Sequence, residues 1–168
     1  EQFMNSGCDK NCPMCRAPYP CDGQMHARAL RWAGQGKAWA MVFVANGFHL
    51  GRGVSASKKM ARLWYEKAAE QEHPDAQYSL GNMHENGEGG LPVSKEKARL
   101  WYKKAAEQGD PYSQYGLGAL HDFGEGGLPV SKEKALLWLK RAAEQGGEDA
   151  TTFIDTKLKN KCCSCGNT

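Results

Sequence analysis

A chain of 168 residues is long enough for one compact domain or a short array of repeats. Its net charge is only +3, and lysines alternate with glutamates, as in Ser94-Lys95-Glu96-Lys97, so there is no dense basic stripe with interleaved aromatics to suggest nucleic acid. A mean hydropathy of −0.67 suits thin helical units with much exposed surface, and no apolar run approaches the ~18 residues of a membrane span.

Residues 1–24 show no helical period. Pro13, Pro18, Pro20 and Gly23 break any helix there, so the segment reads as a Cys-rich, irregular N-terminal piece. Its Cys8, Cys12, Cys15 and Cys21 have a C-x3-C-x2-C-x5-C spacing. Four thiolates could hold one tetrahedral zinc ion, or they could be free thiols. The other three cysteines, Cys162, Cys163 and Cys165, lie at the opposite end, and the middle of the chain has none. An odd count with a CxxC pair points to a reducing compartment, hence an intracellular, cytoplasmic setting. The first residue is Glu1 rather than Met, which suggests a fragment of a longer protein.

From Met25 to Gln35 the chain reads helical, with Leu30 and Trp32 as apolar anchors and Gly36 as terminator. The apolar Ala38–Ala45 run is too short, and lacks the basic start, for a signal peptide. Three copies of one nine-residue stretch then dominate: Leu63–Gln71, Leu100–Gln108 and Leu137–Gln145, each starting 37 residues after the last. A fixed period of that size means a solenoid of stacked units.

Within each unit the first helix repeats small residues at Ala40, Ala76 and Ser113 and again at Ala45, Gly81 and Gly118. Val44, Leu80 and Leu117 stand just before the second set, and Phe48, His84 and His121 three residues after it. Spacings of four, one and three share one helical face, and the small side chains predict close approach of a neighbouring helix. A glycine-rich connection follows, with Ser57, Ser94 and Ser131 placed to cap the next helix. That second helix repeats Ala61, Trp64 and Ala68, then Ala98, Trp101 and Ala105, then Ala135, Trp138 and Ala142, which predicts a core stripe. Gly109 and Gly146 end two of these helices, and Glu72 takes the same place in the first, predicting a less regular turn. After Gly146, Ala150, Phe153 and Ile154 start a partial unit that caps the array. Residues 157–168 read as a flexible Lys/Cys tail.

A unit with Gly36, Ala40, Val44, Ala45, Phe48, Gly51, Gly53 and Val54, followed by Ala61, Trp64, Lys67, Ala68 and Ala69, resembles the Sel1-like repeat family. The resemblance covers about residues 26–156, with units at about 36–71, 72–108 and 109–145. His84 and His121 at the tyrosine place, Ser113 at the alanine place, and Leu91 and Leu128 at the valine place depart from the family pattern as packing changes. It implies an all-α fold, an α/α solenoid of antiparallel helix pairs in a right-handed, tetratricopeptide-like superhelix. It also implies a non-enzymatic scaffold that binds other proteins. Separately, Cys12-Pro13-Met14-Cys15-Arg16-Ala17-Pro18-Tyr19-Pro20 resembles the closing end of a RING finger, in which the CxxC supplies two zinc ligands. Six further ligands would be needed and only Cys8 precedes them, so a complete RING is absent. The alternative function is therefore a substrate-recruiting fragment of a RING-type ubiquitin ligase.

No nucleophile–base pair, phosphate loop or HExxH is present, and an enzyme is not expected. His84 and His121 read as ring fillers rather than metal ligands, and Asp110, Asp122 and Glu125 as loop charges. Under the family geometry, the positions beside the packing stripe of the first helix are the expected partner-binding surface: Met41, Gln77 and Gln114, with Asn46 and Asn82 one turn on.

Overall fold

The computed structural model describes the backbone of residues 22–163 and the side chains of residues 24–156. Among these residues there are eight helices and no strand. They are α1 (Asp22–Gly34), α2 (Ala38–Leu50), α3 (Lys58–Glu70), α4 (Pro74–Asn86), α5 (Lys95–Glu107), α6 (Pro111–Phe123), α7 (Lys132–Glu144) and α8 (Glu148–Cys163). Each helix packs on its sequence neighbours, most extensively within the pairs α2/α3, α4/α5 and α6/α7. The fold is an α/α solenoid.

Local chemistry sets the helix ends. Ser57, Ser94 and Ser131 adopt extended backbone, and their hydroxyls accept from the amides of Met60, Lys97 and Lys134. Each cap is worth roughly 0.5–2 kcal/mol. Pro74 and Pro111 open α4 and α6, where a missing N–H costs nothing. The turns that join repeats need a left-handed residue. Gly109 and Gly146 supply it at φ 98° and 84°, but in the first turn Glu72 is held at φ 58°. A side chain there costs roughly 1–2 kcal/mol, so the turn after α3 is the strained copy.

The glycine-rich connections fold back onto the array. The Ser57, Ser94 and Ser131 amides donate to the carbonyls of Phe48, His84 and His121 at 2.7, 2.8 and 2.9 Å. The connection after α4 also reaches the preceding repeat, where Lys58 meets Glu88 at 2.6 Å and Arg62 Nη1 donates to the Gly89 carbonyl at 3.0 Å. One repeat on, Lys95 meets Glu125 at 2.5 Å. These contacts join successive units, which bury little surface on their own.

The core is narrow and built on small residues. Ala40, Ala45, Ala61, Ala68, Ala76, Ala98, Ala105, Ser113 and Ala142 are fully buried. Between α4 and α5 a Cβ on Gly81 would stand 2.5 Å from the Tyr102 ring, and between α6 and α7 one on Gly118 would stand 2.8 Å from Leu139 Cγ. The anticipated close approach is therefore present, and it is made by Tyr102 and Leu139. The tryptophans beside them are only half-buried. Trp64 and Trp101 carry Lys67 and Lys104 over their rings at 4.6 Å, and Trp138 carries Arg141 at 5.0 Å. Adjacent helix positions differ by about 100°, so Tyr65, Tyr102 and Leu139 point inward and the tryptophans close the outer rim.

The two ends also differ from the sequence-based expectation. In α1 the buried residues are His26, Ala29 and Ala33, whereas Leu30 is 38% and Trp32 47% exposed. Positions 26, 29 and 33 form the stripe that faces α2, and Leu30 and Trp32 lie off it. At the other end Ala150 is buried, and Phe153 and Ile154 pack against Leu139 and Ala142. Helix α8 continues to Cys163, past the boundary expected at 156, because residues 157–163 contain neither glycine nor proline.

Candidate protein-binding surface

Each first helix carries a second, more exposed stripe beside the core stripe, although Gly116 in the third copy lies against the buried Tyr102 ring. On α2 it is Trp39, Phe43, Asn46 and Leu50, spaced by four, three and four. The corresponding residues are Asp75, Ser79, Asn82 and Asn86 on α4, and Tyr112, Gly116, Ala119 and Phe123 on α6. Trp39 is 55%, Leu50 56%, Tyr112 58% and Phe123 58% exposed. Trp39 meets the Trp32 ring at 6.5 Å and Phe123 meets the Phe153 ring at 6.4 Å, yet about half of each side chain stays open to solvent. The middle stripe is polar and the outer two are apolar.

Between α2 and α4 this face dips into a groove of about 340 Å³, lined by Asn46, Leu50, Tyr78, Asn82, Asn86 and Glu88 among others. The Tyr65 hydroxyl donates to Asn46 Oδ1 at 2.5 Å, and Asn86 Nδ2 donates to Asn82 Oδ1. Tyr78 stacks between Tyr102 at 5.9 Å and Tyr112 at 5.6 Å, linking the groove wall to the next repeat. Burial raises the Tyr65 and Tyr102 hydroxyls above the ordinary tyrosine range. For Tyr102 the bond to Glu85 at 2.6 Å adds to the effect, so both remain neutral donors.

Of the five residues expected on this face, Asn46 and Asn82 are accessible, and the other three need correction. Gln77 is 2%, Gln114 4% and Met41 6% exposed. They point toward the end of the following second helix. Gln108 Nε2 donates to Gln77 Oε1 at 2.9 Å, Gln145 Nε2 donates to Gln114 Oε1 at 2.9 Å, and Gln71 Nε2 reaches Met41 Sδ at 3.7 Å. These positions are buried where the two helices of each repeat meet. Conversely, Trp39, Phe43, Leu50, Tyr112 and Phe123 were not singled out in the sequence, although the 39–43–46–50 spacing marks a second helical stripe.

Cys8, Cys12, Cys15 and Cys21, with the RING-like stretch 12–20, lie outside the described residues. Among the described residues, no group of three or more His, Cys, Asp or Glu side chains is placed to hold a metal ion. His84 and His121 are buried, each with an Nδ1 that has no partner among the described residues, and burial lowers the pKa of both. Asp110 caps α6 by accepting from the Ser113 amide at 2.7 Å, Asp122 pairs with Lys132 at 2.8 Å, and Glu125 pairs with Lys95. All three acidic residues therefore have structural partners. No helix among the described residues is long and apolar enough to cross a membrane.

A sequence profile of the Sel1 repeat matches residues 40–73, 74–110 and 111–147, three consecutive units that cover most of the chain. The chain belongs to the Sel1 repeat family. The matched units start two to four residues later than 36, 72 and 109. No curated protein matches it. Among solved structures it is similar to c5321, a protective antigen of uropathogenic Escherichia coli strains with an SLR fold. The identity is 34% and the TM-score 0.69, over 74% of this chain and 26% of that one. It is also similar to a Sel1 repeat protein from Oxalobacter formigenes, with 26% identity and TM-score 0.73 over 79% and 54% of the two chains. Cysteine rich protein B of Helicobacter pylori shares the fold at 21% identity and TM-score 0.63, over 78% and 96%. The chain spans about a quarter of the length of the first and about half of the second.

Proposed function

We infer that this Sel1 repeat chain is a non-catalytic scaffold that binds other proteins on the face made by α2, α4 and α6. The observation that carries this reading is the set of aligned exposed stripes from Trp39 to Phe123. Trp39, Leu50, Tyr112 and Phe123 keep more than half of their surface open, and the stripes place apolar and polar groups side by side over three repeats. An interface centre has this make-up, with aromatic anchors among neutral polar groups and few charges. The Sel1 family supports the same reading. The polar side chains of the groove are neutral hydrogen-bonding groups apart from Glu88, which Lys58 holds, and His49.

The ligase alternative rests on residues 12–20, and no described residue or comparison adds support to it. Affinity capture followed by cross-linking and mass spectrometry tests the scaffold reading. The full chain is compared with a Trp39→Ala/Phe123→Ala variant and with Lys103→Glu/Lys104→Glu on the outer face of α5. Cross-links should map to α2, α4 and α6, and capture should fall only in the first variant. Loss confined to the lysine variant would move the binding face to the second helices.

A further inference from the structure

We propose that the outer face of the second helices α3, α5 and α7 rests on the anionic surface of a lipid bilayer. The proposal does not depend on the scaffold reading. It starts from a stripe with spacings of three, one and three, which share one side of a helix. On α5 the stripe is Lys97, Leu100, Trp101 and Lys104, and the repeat sets the same leucine and tryptophan, followed by Lys67 or Arg141, on α3 and α7. Leu63, Leu100 and Leu137 are 45, 54 and 51% exposed, so every unit leaves one aliphatic side chain about half in solvent. Beside each leucine the half-buried tryptophan carries its cation, Lys67 and Lys104 at 4.6 Å and Arg141 at 5.0 Å. A ring face attracts a cation through its quadrupole but has no net charge, so the cation still lacks a counter-ion. Among the described residues, Lys67, Lys97, Lys104, Lys134 and Arg141 form no ion pair. On α5 the stripe borders a shallow recess of about 420 Å³. Its lining adds Lys103 and Glu107, which pair with each other at 3.7 Å and leave Lys97 and Lys104 uncompensated. In the linear sequence these cations alternate with glutamates, and only the helical period collects them on one side.

The occupant must offer anions and an apolar layer together, and offer them again at each unit. An anionic bilayer does so. Its headgroups meet the cations, and the acyl chains just beneath them take the leucines. Tryptophan, lysine and arginine, each with an apolar body and a polar tip, suit the boundary between the two layers. A polynucleotide would supply the anions but nothing for the leucines. An acidic protein segment would supply both, but three identical stripes set no register for it, whereas a fluid surface needs none. No helix among the described residues is long and apolar enough to cross the bilayer, so these helices meet its surface. The contact uses the second helices and leaves the exposed face of the first helices to a protein partner.

The test is flotation of the full chain with vesicles of phosphatidylcholine alone and of phosphatidylcholine mixed with phosphatidylserine. The chain should float with the mixed vesicles and not with the neutral ones, and the bound fraction should fall as sodium chloride is raised. Leu63→Gln/Leu100→Gln/Leu137→Gln removes the aliphatic groups without changing a charge, and Lys97→Gln/Lys104→Gln removes two of the five cations. All of these side chains are exposed, so each variant should keep the parent melting temperature. Each should bind the mixed vesicles at least tenfold more weakly. Leu100→Gln alone, with a loss of at least threefold, serves the same purpose if the triple variant melts early. A parent chain that does not float with the mixed vesicles would overturn the proposal. So would leucine variants that bind as tightly as the parent, since the contact would then be with charge alone and open to RNA or any acidic protein. Protein capture that is lost in the leucine variant, with no vesicle binding by the parent, would assign the face to an acidic protein instead.

Discussion

Gln108 closes the second repeat by donating its side-chain amide to Gln77 at 2.9 Å, and Gln145 does the same for Gln114 one repeat later. The last residue of the repeated nine-residue stretch therefore has a structural purpose, linking the end of each second helix to the start of the first helix before it. In the first repeat Met41 takes the acceptor position and Gln71 contacts its sulfur at 3.7 Å.

This pairing predicts the response to substitution at Gln77. Gln108→Ala leaves a buried carbonyl oxygen unsatisfied and should cost about 1–3 kcal/mol. Gln77→Met copies the first repeat and should cost less than about 1.5 kcal/mol, as volume-conserving changes do. Gln77→Lys buries a charge without a partner and should be the worst of the three. Urea unfolding of the four proteins checks the order. A Gln77→Lys variant as stable as the parent would show that this side chain can leave the interface.

The close approaches at Gly81 and Gly118 predict the sign of two further changes. In an exposed helix interior Gly→Ala stabilises by up to about 1 kcal/mol. At Gly81 the new Cβ meets the Tyr102 ring at 2.5 Å, and that ring is buried and hydrogen-bonded to Glu85. Gly81→Ala should therefore destabilise by about 1–3 kcal/mol. Gly34 has nothing within 4 Å of its Cβ position, so Gly34→Ala should be neutral or stabilising. Thermal melts of both variants test the contrast, and a stabilised Gly81→Ala would refute the close packing.

The fold was legible because a solenoid writes its packing into the sequence once per unit. The buried positions Ala40, Val44 and Ala45 recur with the same spacing as Ala76, Leu80 and Gly81, so the core stripe of the first helix could be read directly. Side-chain orientation one position away from that stripe was not legible. Trp101 and Tyr102 recur equally well, and only the packing of α5 against α4 and α6 decides that Tyr102 is buried while Trp101 lies under Lys104. Gln77 likewise looks like a polar residue beside a core stripe. Its partner Gln108 is 31 residues away, and no local pattern pairs them. Asn46 and Asn82 could be placed on the accessible side, but the orientation of their amides depends on Tyr65 and Asn86.

The Trp101/Tyr102 contrast gives a third prediction. Tyr102 is 3% exposed, stacks on Tyr78 and donates to Glu85, so Tyr102→Ala should cost about 3–5 kcal/mol. Trp101→Ala removes a half-buried ring and its cation contact with Lys104 and should cost clearly less. Short arrays unfold as a unit, so both losses should appear in one global transition. Equal losses would place both rings in the core.

The histidines predict how stability depends on pH. His84 and His121 occupy the ring position that Phe48 fills in the first repeat, and His26 packs edge-on against Phe48 at 5.2 Å. All three have pKa values below the usual 6.5, with burial the main cause. For His84, Lys97 and Arg62 add to the lowering while Glu66 opposes it. For His121, Lys134 and Arg99 add to it. The folded chain thus keeps these rings neutral at a pH where the unfolded chain already binds protons. Stability should be fully present above about pH 6.5 and fall as the pH drops below that value toward the lowered pKa values, because the unfolded state takes up more protons there. His84→Phe/His121→Phe copies the first repeat and should flatten the slope between about pH 7 and 5, with the contribution of His26 left in place. Urea midpoints of parent and variant across that range provide the measurement. Parallel slopes would mean that the two imidazoles are protonated in the folded state as readily as in the unfolded one.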